Sequence, residues 1–299
     1  MKRTGLIIVV PLIAILNTFG QAGLDNIIEP GARAEKIAGG FSFTEGPTAD
    51  SKGNLYFTDQ PNDRIMIWSD TKGLSTFLEP SGHSNGLSFD LGGNLWSCAD
   101  EKNELWMIKP DKTVTKIPSK FNDKVLNGPN DLWIKPDGGI YFTDPFYKRT
   151  WWDHSIMPQD CQAVYYLSPD HKNITRVVSD LIQPNGIVGT PDGKNLFVAD
   201  IAGNKTYSFS INPSGTLSDK KLFCEMGSDG MTIDSEGNIY LYGWGVTIFD
   251  RNGKRLGNIP VPEEWTANVC FGGKDMKNLY ITASKGLYRI KVKIRGTAG

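Results

Sequence analysis

The fold of this chain is decided by a stretch that recurs along it, and the first copy reads EGPTADSKGNLYF at residues 45–57. A polar residue opens the copy, a turn with a glycine eight positions later interrupts it, and an aromatic strand ends it. Five further copies follow at intervals of 39 to 55 residues, the last one looser than the others. We call the opening residues the anchors; they are Glu45, Asn85, Asn130, Asn185, Asp229 and Asn268. Self-similarity at such a period predicts a repeat architecture.

Each repeat has room for about four short strands, which is typical of one blade of a β-propeller. Six copies therefore predict an all-β, six-bladed β-propeller that occupies residues 23–299 as a single domain. Further strands are expected at residues 64–68, 105–109, 163–167 and 205–211. The last copy leaves few residues for outer strands, so residues 34–41 are expected to complete the ring by pairing with the final blade.

Composition narrows the class of partner. The 299 residues include 32 Lys and Arg against 33 Asp and Glu, a formal charge of −1. This balance lacks the basic surface of a nucleic-acid binder, and we expect a small molecule as the partner. A hydrophobic share of 39% with 22% charged residues is typical of a globular chain and excludes disorder as its main state.

Residues 1–22 have the pattern of a secretory signal peptide. Lys2 and Arg3 precede an apolar run over residues 5–16, and the small residues Gly20 and Ala22 precede the expected cleavage point. The apolar run is shorter than the roughly 20 residues of a membrane-spanning helix. The pattern predicts a mature protein that is exported to the periplasm or secreted, with no membrane span.

The four cysteines leave their redox state open. They are Cys98, Cys161, Cys224 and Cys270, and none belongs to a C-x-x-C pair, so motifs for zinc or redox chemistry are absent. An oxidising compartment would permit disulfides in any of three pairings. Buried free thiols are an equal alternative.

The anchors predict a cation site. Each begins the innermost strand of a blade, so all six are expected at one end of the central channel. Carboxylates and amides without histidine or cysteine are ligands for a hard cation, and calcium accepts six to eight such oxygens in irregular geometry. The alternative is that Asn, Asp and Gly simply start strands and bond local backbone.

The second strand of a blade returns to the same face, and four of these strands end in aspartate: Asp59, Asp100, Asp144 and Asp200. Their regularity predicts that most of them accept hydrogen bonds from loop backbone. The longest interval places its extra residues at 145–154, just after Asp144. This aromatic and basic loop is expected to form a lid or pocket wall; packing against a neighbouring blade is an equal alternative.

Residues 82–86, GHSNG, match the G-x-S-x-G motif of serine hydrolases. That motif needs a turn from a strand into a helix. Here residues 87–90 continue as a strand and Asn85 belongs to the repeat. We therefore interpret Ser84 as a structural residue.

Four motifs resemble those of the gluconolactonase/regucalcin family of calcium-dependent six-bladed propellers, over residues 41–291. They are Glu45-Gly46-Pro47, Asn127-Gly128-Pro129-Asn130-Asp131, Pro184-Asn185-Gly186 and Ser228-Asp229-Gly230-Met231. The resemblance implies one divalent metal, usually calcium, at the channel mouth. Its ligands would be Glu45, Asn185 and Asp229, with Asn130 as a fourth ligand or a substrate contact.

Two positions depart from relatives of this family. Gly128 stands where regucalcin has an arginine, two residues before the third-blade asparagine. Asn85 stands where the related paraoxonases carry a histidine, so a histidine-based mechanism is not expected.

These observations favour a calcium-dependent lactonase that opens a sugar lactone, such as a gluconolactone, to the aldonic acid. A bound cation can polarise the ester carbonyl and orient water. Asp229 is the candidate to position or deprotonate that water, with Asp131, Asp100 or metal-activated water as alternatives. The sugar is expected to contact residues of the mouth and of the 145–154 loop: Asn85, Asn130, Arg149, Trp151 and Trp152.

Three other functions remain open from the sequence. A phosphotriesterase-like hydrolase could use the same metal ring. A sugar- or protein-binding propeller would keep the calcium without turnover. A purely structural calcium would lie deeper in the channel.

Overall fold

The computed structural model describes residues 23–117 and 119–297, so the signal peptide expected at residues 1–22 lies outside the described residues. Within these two ranges the chain forms 26 strands and one short 3-10 helix, Gln60–Asn62. Nothing in them forms a helix long and apolar enough to cross a membrane.

Six four-stranded antiparallel sheets form the blades, which we number in chain order. Blade 1 contains β2 (Thr44–Ala49), β3 (Leu55–Asp59), β4 (Arg64–Ser69) and β5 (Gly73–Leu78). Blade 2 contains β6 (Ser84–Phe89), β7 (Leu95–Ala99), β8 (Glu104–Ile108) and β9 (Val114–Ile117). A small hairpin follows, formed by β10 (Lys120–Phe121) and β11 (Lys124–Val125). Blade 3 contains β12 (Leu132–Ile134), β13 (Ile140–Asp144), β14 (Ala163–Leu167) and β15 (Ile174–Val178).

The second half of the ring repeats this arrangement. Blade 4 contains β16 (Pro184–Gly189), β17 (Asn195–Asp200), β18 (Lys205–Ile211) and β19 (Leu217–Cys224). Blade 5 contains β20 (Met231–Ile233), β21 (Ile239–Gly243), β22 (Gly245–Phe249) and β23 (Arg255–Ile259). Blade 6 combines both ends of the described chain: β24 (Thr266–Gly272), β25 (Asn278–Ala283), β26 (Gly286–Lys291) and β1 (Glu35–Gly39).

The ring closes as the sequence predicts. The innermost strands contact one another in the cycle β2, β6, β12, β16, β20, β24 and back to β2. In blade 6 the strand order is β1-β26-β25-β24, and β1 pairs antiparallel with β26 through Glu35 opposite Arg289. The predicted pairing of residues 34–41 with the final blade is therefore confirmed, as is the six-bladed all-β fold.

Glycine is required at two places in most repeats, for different reasons. The turn between the first two strands uses a glycine with φ from 69° to 90°, a backbone region that side chains disfavour. The glycine after an anchor is needed for space, because a Cβ atom at Gly46 would collide with the carbonyl oxygen of Asn85 in the next blade. This close approach holds the inner strands around a narrow channel.

Large apolar side chains fill the space between blades, and several are completely buried, including Trp96, Tyr141 and Tyr240. The polar ends of these rings are bonded: the Trp96 indole donates to Asp90 Oδ2 at 3.0 Å. All four cysteines are free, and Cys98 and Cys224 are buried. Of the two alternatives left by the sequence, the structure has free thiols.

Candidate active site at the mouth of the channel

β-Bulges present the anchors at the start of the inner strands. In blade 1, Glu45 lies opposite Thr58 and Thr48 lies opposite Tyr56, so β2 carries one residue more than β3 between these pairs. The same surplus occurs at the anchors of blades 2 and 4. A bulge takes a side chain out of the regular alternation of a strand, and here it turns the anchors toward one end of the channel.

Blade 6 has Ala267, not Asn268, at the anchor position. The Gly230 N–H donates to the carbonyl oxygen of Ala267 as the Gly86 N–H donates to that of Asn130. Asn268 Oδ1 accepts the next backbone N–H, as Asp131 Oδ1 does in blade 3. The anchor position of blade 6 therefore carries no side-chain oxygen, and Asn268, predicted as the sixth donor, lines a separate cavity with Asp131 and not the mouth cavity. The looser sixth copy hid this register, because it lacks the glycine that follows most anchors.

The anchors border a cavity of about 370 Å³ at the channel mouth. Four of them line it directly: Glu45, Asn85, Asn130 and Asp229. The other lining residues come from the surrounding loops: Phe43, Gln60, Tyr147, Arg149, Gln183, Ile201, Ala202 and Trp265. The structure thus brings together most of the site residues expected from the sequence.

Three lining residues that sequence reasoning missed share one repeat position. Phe43, Gln183 and Trp265 each lie two residues before an anchor position and point into the mouth cavity. Their shared position, two residues before each anchor, is a signal that the sequence does contain. It is not visible at Trp265, because the repeat pattern assigns the sixth anchor to Asn268, one residue too late. The three residues also differ in chemistry and share no motif.

A hydrogen-bonded cluster fixes the fourth- and fifth-blade anchors. The Asn185 amide donates both its protons, to Asp229 Oδ1 and to the Tyr147 hydroxyl, each at 2.8 Å. The Trp265 indole donates to Asp229 Oδ2 at 2.9 Å. Each Asp229 oxygen therefore accepts one hydrogen bond, and the carboxylate is held in one orientation.

The two anchor carboxylates oppose each other's ionisation. Burial, followed by the charge of Asp229, raises the pKa of Glu45 well above its usual range. Burial raises the pKa of Asp229 to about 6, although the hydrogen bonds from Trp265 and Asn185 act in the other direction. Two buried carboxylates that share one cavity lose this mutual repulsion when a positive charge joins them.

The anchor set fits a hard divalent cation. In residues 23–117 and 119–297 no group of three or more His, Cys, Asp or Glu side chains is placed to hold a metal, and the anchors offer two carboxylates with amides instead. The carbonyl oxygen of the Asn185 amide is buried and has no hydrogen-bond partner in the described part of the chain. Both its amide protons are already donated, so this oxygen is a free ligand beside two carboxylates, as calcium requires.

Asp131 does not line the mouth cavity, although it lies near enough to Asp229 that, after burial, the charge of that carboxylate also raises its pKa. It lines a second cavity of about 700 Å³, together with Asn268 and the turns at the opposite face. Its Oδ1 accepts the backbone N–H of Leu132 at 3.0 Å, and burial raises its pKa to about 7. The role of Asp131 as a catalytic base stays a prediction, and the mouth cavity, which Asp229 lines, does not include it.

The two tryptophans of the 145–154 loop do not line the cavity, contrary to the expected sugar contacts. Trp151 stacks on His83 at 4.1 Å between ring centroids. Trp152 donates its indole N–H to the carbonyl oxygen of Asp100 at 2.7 Å and covers Gly128, where a Cβ atom would lie 2.9 Å from its ring. The two indoles thus cover the residues two positions before the anchors of blades 2 and 3. Tyr147 and Arg149 reach the cavity in their place.

Three of the four second-strand aspartates bond loop backbone, as predicted. Asp59 Oδ1 accepts the N–H groups of residues 42 and 43. Asp144 accepts those of residues 127 and 128, and Asp200 accepts those of residues 182 and 183. Each carboxylate therefore fixes the segment that leads into an anchor.

Ser84 has no features of a nucleophile. It is fully buried in β6, and its hydroxyl donates to the carbonyl oxygen of Ser81 at 2.6 Å. The hydroxyl of Ser97 donates to it in turn. The structural interpretation of Ser84 agrees with this placement.

Fold and site together define a class of protein: a six-bladed β-propeller with an acidic ligand cavity at one mouth of its channel. The chain belongs to the family described as SMP-30/Gluconolactonase/LRE-like region, whose model matches residues 43–285. The family indicated by the four sequence motifs is therefore confirmed.

Similar proteins include lactonases. The gluconolactonase of Zymomonas mobilis subsp. mobilis is 31% identical over 304 residues, which cover 91% of this chain and 85% of that protein. A gluconolactonase from Xanthomonas campestris has a similar structure, with a TM-score of 0.84, 26% identity and coverage of 91% of this chain and 93% of its own. The fold also matches a calcium-binding regucalcin from Agrobacterium tumefaciens, with a TM-score of 0.73, 18% identity and coverage of 89% and 95%.

Proposed function

We propose that this protein hydrolyses a sugar lactone, such as a gluconolactone, to the aldonic acid, with a divalent cation held at the channel mouth. The observation that carries the proposal is the pair of carboxylates Glu45 and Asp229 in one cavity, with Asn185 hydrogen-bonded to Asp229. The amide oxygen of Asn185 is buried, and no donor among the described residues reaches it. The similarity to gluconolactonases supports the reaction class, the hydrolysis of a cyclic ester.

Glu45, Asn185 and Asp229 would hold the cation, and Asn130 would be the fourth ligand or a contact to substrate. We propose calcium, because all the donors are carboxylate or amide oxygens, which calcium prefers. When bound, the cation supplies Lewis-acid polarisation of the ester carbonyl and orientation of water.

The protein's own groups position the reactants around this centre. Asp229 is our candidate to accept a proton from the attacking water, because its two hydrogen bonds aim the carboxylate and its Oδ2 faces the mouth beside Trp265. Asn85 and Asn130 line the same cavity and can bond ring hydroxyl groups of the sugar. Phe43, Ile201 and Ala202 give the cavity an apolar side that limits access of further water.

The direct test is hydrolysis of gluconolactone by the purified protein, with chelation followed by calcium return. We expect activity that chelation removes and calcium restores. Ser84→Ala is the matched control, since it removes the only match to a nucleophile motif and should retain most of the activity. Activity that survives complete chelation would contradict the metal-dependent reaction.

A panel of substrates separates the remaining functions. Turnover of an aryl phosphotriester but of no lactone would indicate a phosphotriesterase-like enzyme. Calcium binding without turnover of either class would indicate a binding propeller.

A further inference from the structure

One of the four second-strand aspartates does not perform the task of the others. Asp59, Asp144 and Asp200 each accept two backbone N–H groups from the residues that lead into the anchor of their blade. In blade 2 the corresponding residues are Gly82 and His83. No bond from either of them to Asp100 occurs within the described residues.

A different carboxylate takes over this backbone task. Asp63, which follows the 3-10 helix of blade 1, accepts the N–H groups of Ser81 and His83 at 2.9 Å and 2.6 Å. The segment before Asn85 is thereby fixed without Asp100. The Asp100 carboxylate, at the end of β7, can therefore accept hydrogen bonds from other groups.

The Asp100 carboxylate binds Arg149 instead. Its Oδ2 accepts the Arg149 Nε–H at 2.8 Å and the Gln60 amide at 3.2 Å. Asp100 is 2% exposed, and its Oδ1 is buried with no hydrogen-bond partner among residues 23–117 and 119–297. Since Trp152 donates to the Asp100 backbone carbonyl, the aspartate and the loop that carries the arginine are joined at two points.

The Arg149 guanidinium is immobilised from both directions. Its central carbon lies 5.2 Å from the ring centre of Tyr147 and 5.5 Å from that of Trp151. Only Nε is bonded to protein; within the part of the chain that the structure describes, the two terminal nitrogens have no acceptor. Arg149 lines the mouth cavity, so these nitrogens form a rigid pair of donors for a ligand.

We propose that Asp100 is a positioning residue that fixes Arg149 as the specificity-determining group for polyhydroxylated lactones. The pair carries no net charge, which suits a neutral ligand. Two parallel donors match two neighbouring hydroxyl oxygens on the lactone ring, and Gln60 lies beside them. This inference rests on the proposed lactone hydrolysis and adds which lactones are selected.

The test compares two substrates in the calcium-loaded protein: gluconolactone, which carries ring hydroxyls, and δ-valerolactone, which has none. Arg149→Met should lower kcat/KM for gluconolactone by about tenfold to a hundredfold, mainly through KM, as expected for lost hydrogen bonds to a charged donor. The value for δ-valerolactone should fall much less, because that substrate never made those bonds, and the change in the ratio of the two kcat/KM values measures the lost selectivity.

Asp100→Asn should have the same selectivity but a smaller effect, because the amide keeps one acceptor oxygen. If Asp100 acts only through Arg149, the double variant Asp100→Asn/Arg149→Met should match Arg149→Met alone. Asp200→Asn is the matched control at the same repeat position. Because Asp200 bonds backbone, its substitution should lower the Tm and reduce both lactones by one common factor.

Several results would overturn the inference. Equal losses on both lactones would show that Asp100 and Arg149 are merely structural, and unchanged gluconolactone kinetics would show that they do not touch substrate. If the wild-type protein does not hydrolyse δ-valerolactone, binding of gluconate and of 5-hydroxypentanoate is measured by calorimetry instead. An Arg149→Met variant with the wild-type ratio of the two dissociation constants would contradict the assignment. A wild-type protein that hydrolyses no lactone would instead contradict the proposed function itself.

Discussion

The two cavities of the channel are built from successive residues of the same repeats, yet only one has the features of a site. Asn130 lines the mouth cavity and Asp131, the next residue, lines the second cavity. Burial raises the pKa of a carboxyl group in each, to about 6 for Asp229 and to about 7 for Asp131. The difference lies in free ligand atoms, since beside the two carboxylates of the mouth the Asn185 amide oxygen has no hydrogen-bond partner among the described residues. A raised pKa here indicates only burial, whereas an unpartnered ligand oxygen indicates the site.

The largest effect should come from substitutions of the mouth carboxylates, which should reduce lactone hydrolysis far more than a substitution in the second cavity. Glu45→Gln and Asp229→Asn each remove one of two negative charges at the mouth. We expect loss of calcium binding and a fall of at least about a hundredfold in lactone hydrolysis, since a bound cation contributes several kcal/mol to the transition state.

Asp131→Asn is the counterpart in the second cavity, and we expect a loss of about threefold or less in kcat with calcium still bound. The measurements are kcat and calcium titration of the same preparations. A hundredfold loss in Asp131→Asn with normal calcium affinity would restore Asp131 as the general base.

Thermal stability should respond to calcium through the mouth alone. A cation held by Glu45, Asn185 and Asp229 joins blades 1, 4 and 5 and binds only the closed ring. Free calcium at a hundred times its dissociation constant should therefore stabilise the fold by about 2.7 kcal/mol, a Tm rise of a few degrees. Melting curves of Glu45→Gln should lose this rise, and those of Asp131→Asn should keep it.

The calcium effect on Tm should depend on pH. Without the cation, burial raises the pKa of Asp229 to about 6, so the folded protein binds more protons than the unfolded chain and loses stability as pH rises from about 4 to about 6. Glu45, whose pKa is raised well above its usual range, adds a loss of the same sign. Calcium favours the ionised carboxylates and removes this loss. The Tm gain should thus be larger at pH 7 than at pH 5, and Asp229→Asn should reduce the difference. An equal gain at both pH values would place the cation elsewhere.

The smallest effect should come from Trp265→Phe. This change keeps an aromatic ring at the mouth but removes the hydrogen bond to Asp229 Oδ2. Loss of one such bond to a carboxylate corresponds to roughly 1.5 kcal/mol. We expect kcat to fall by about three- to tenfold while KM and calcium affinity change less. A change in KM alone would mean that Trp265 contacts substrate and does not orient Asp229.

The sequence predicts the ring and most of the mouth because both depend on a repeated position. Glu45 and Asp229 stand out since the same place in each repeat must start an inner strand, and their motifs survive in five copies. The sequence misassigns the sixth anchor by one residue, because nothing local distinguishes Ala267 from Asn268. The contact that does so is the hydrogen bond from the Gly230 N–H of blade 5 to the Ala267 carbonyl oxygen. The register of a strand is defined by its contacts with neighbouring strands, so the sequence of one strand does not determine it.

The loop at residues 145–154 shows a second limit. Its composition predicts a wall with aromatic and basic groups, and Tyr147 and Arg149 fill that role. Which side chains face the cavity depends on their packing partners. Trp151 stacks on His83, and Trp152 packs against Gly128. Trp265 and Gln60 were missed for the same reason. Their roles come from contacts with residues distant in sequence, Asp229 and Asp100.

The pairing of β1 with β26 has a consequence for how the molecule is made. Residue 35 pairs with residue 289. The first strand can therefore pair only after almost the whole chain has been synthesised. Contacts of such high sequence separation form late and slowly. Until then β1 and the outer edge of β26 are unpaired strand edges, which can pair with other chains. Blade 6 is thus the part of the ring most open to domain swapping during synthesis, and a permuted chain that begins between two complete blades should fold with less aggregation.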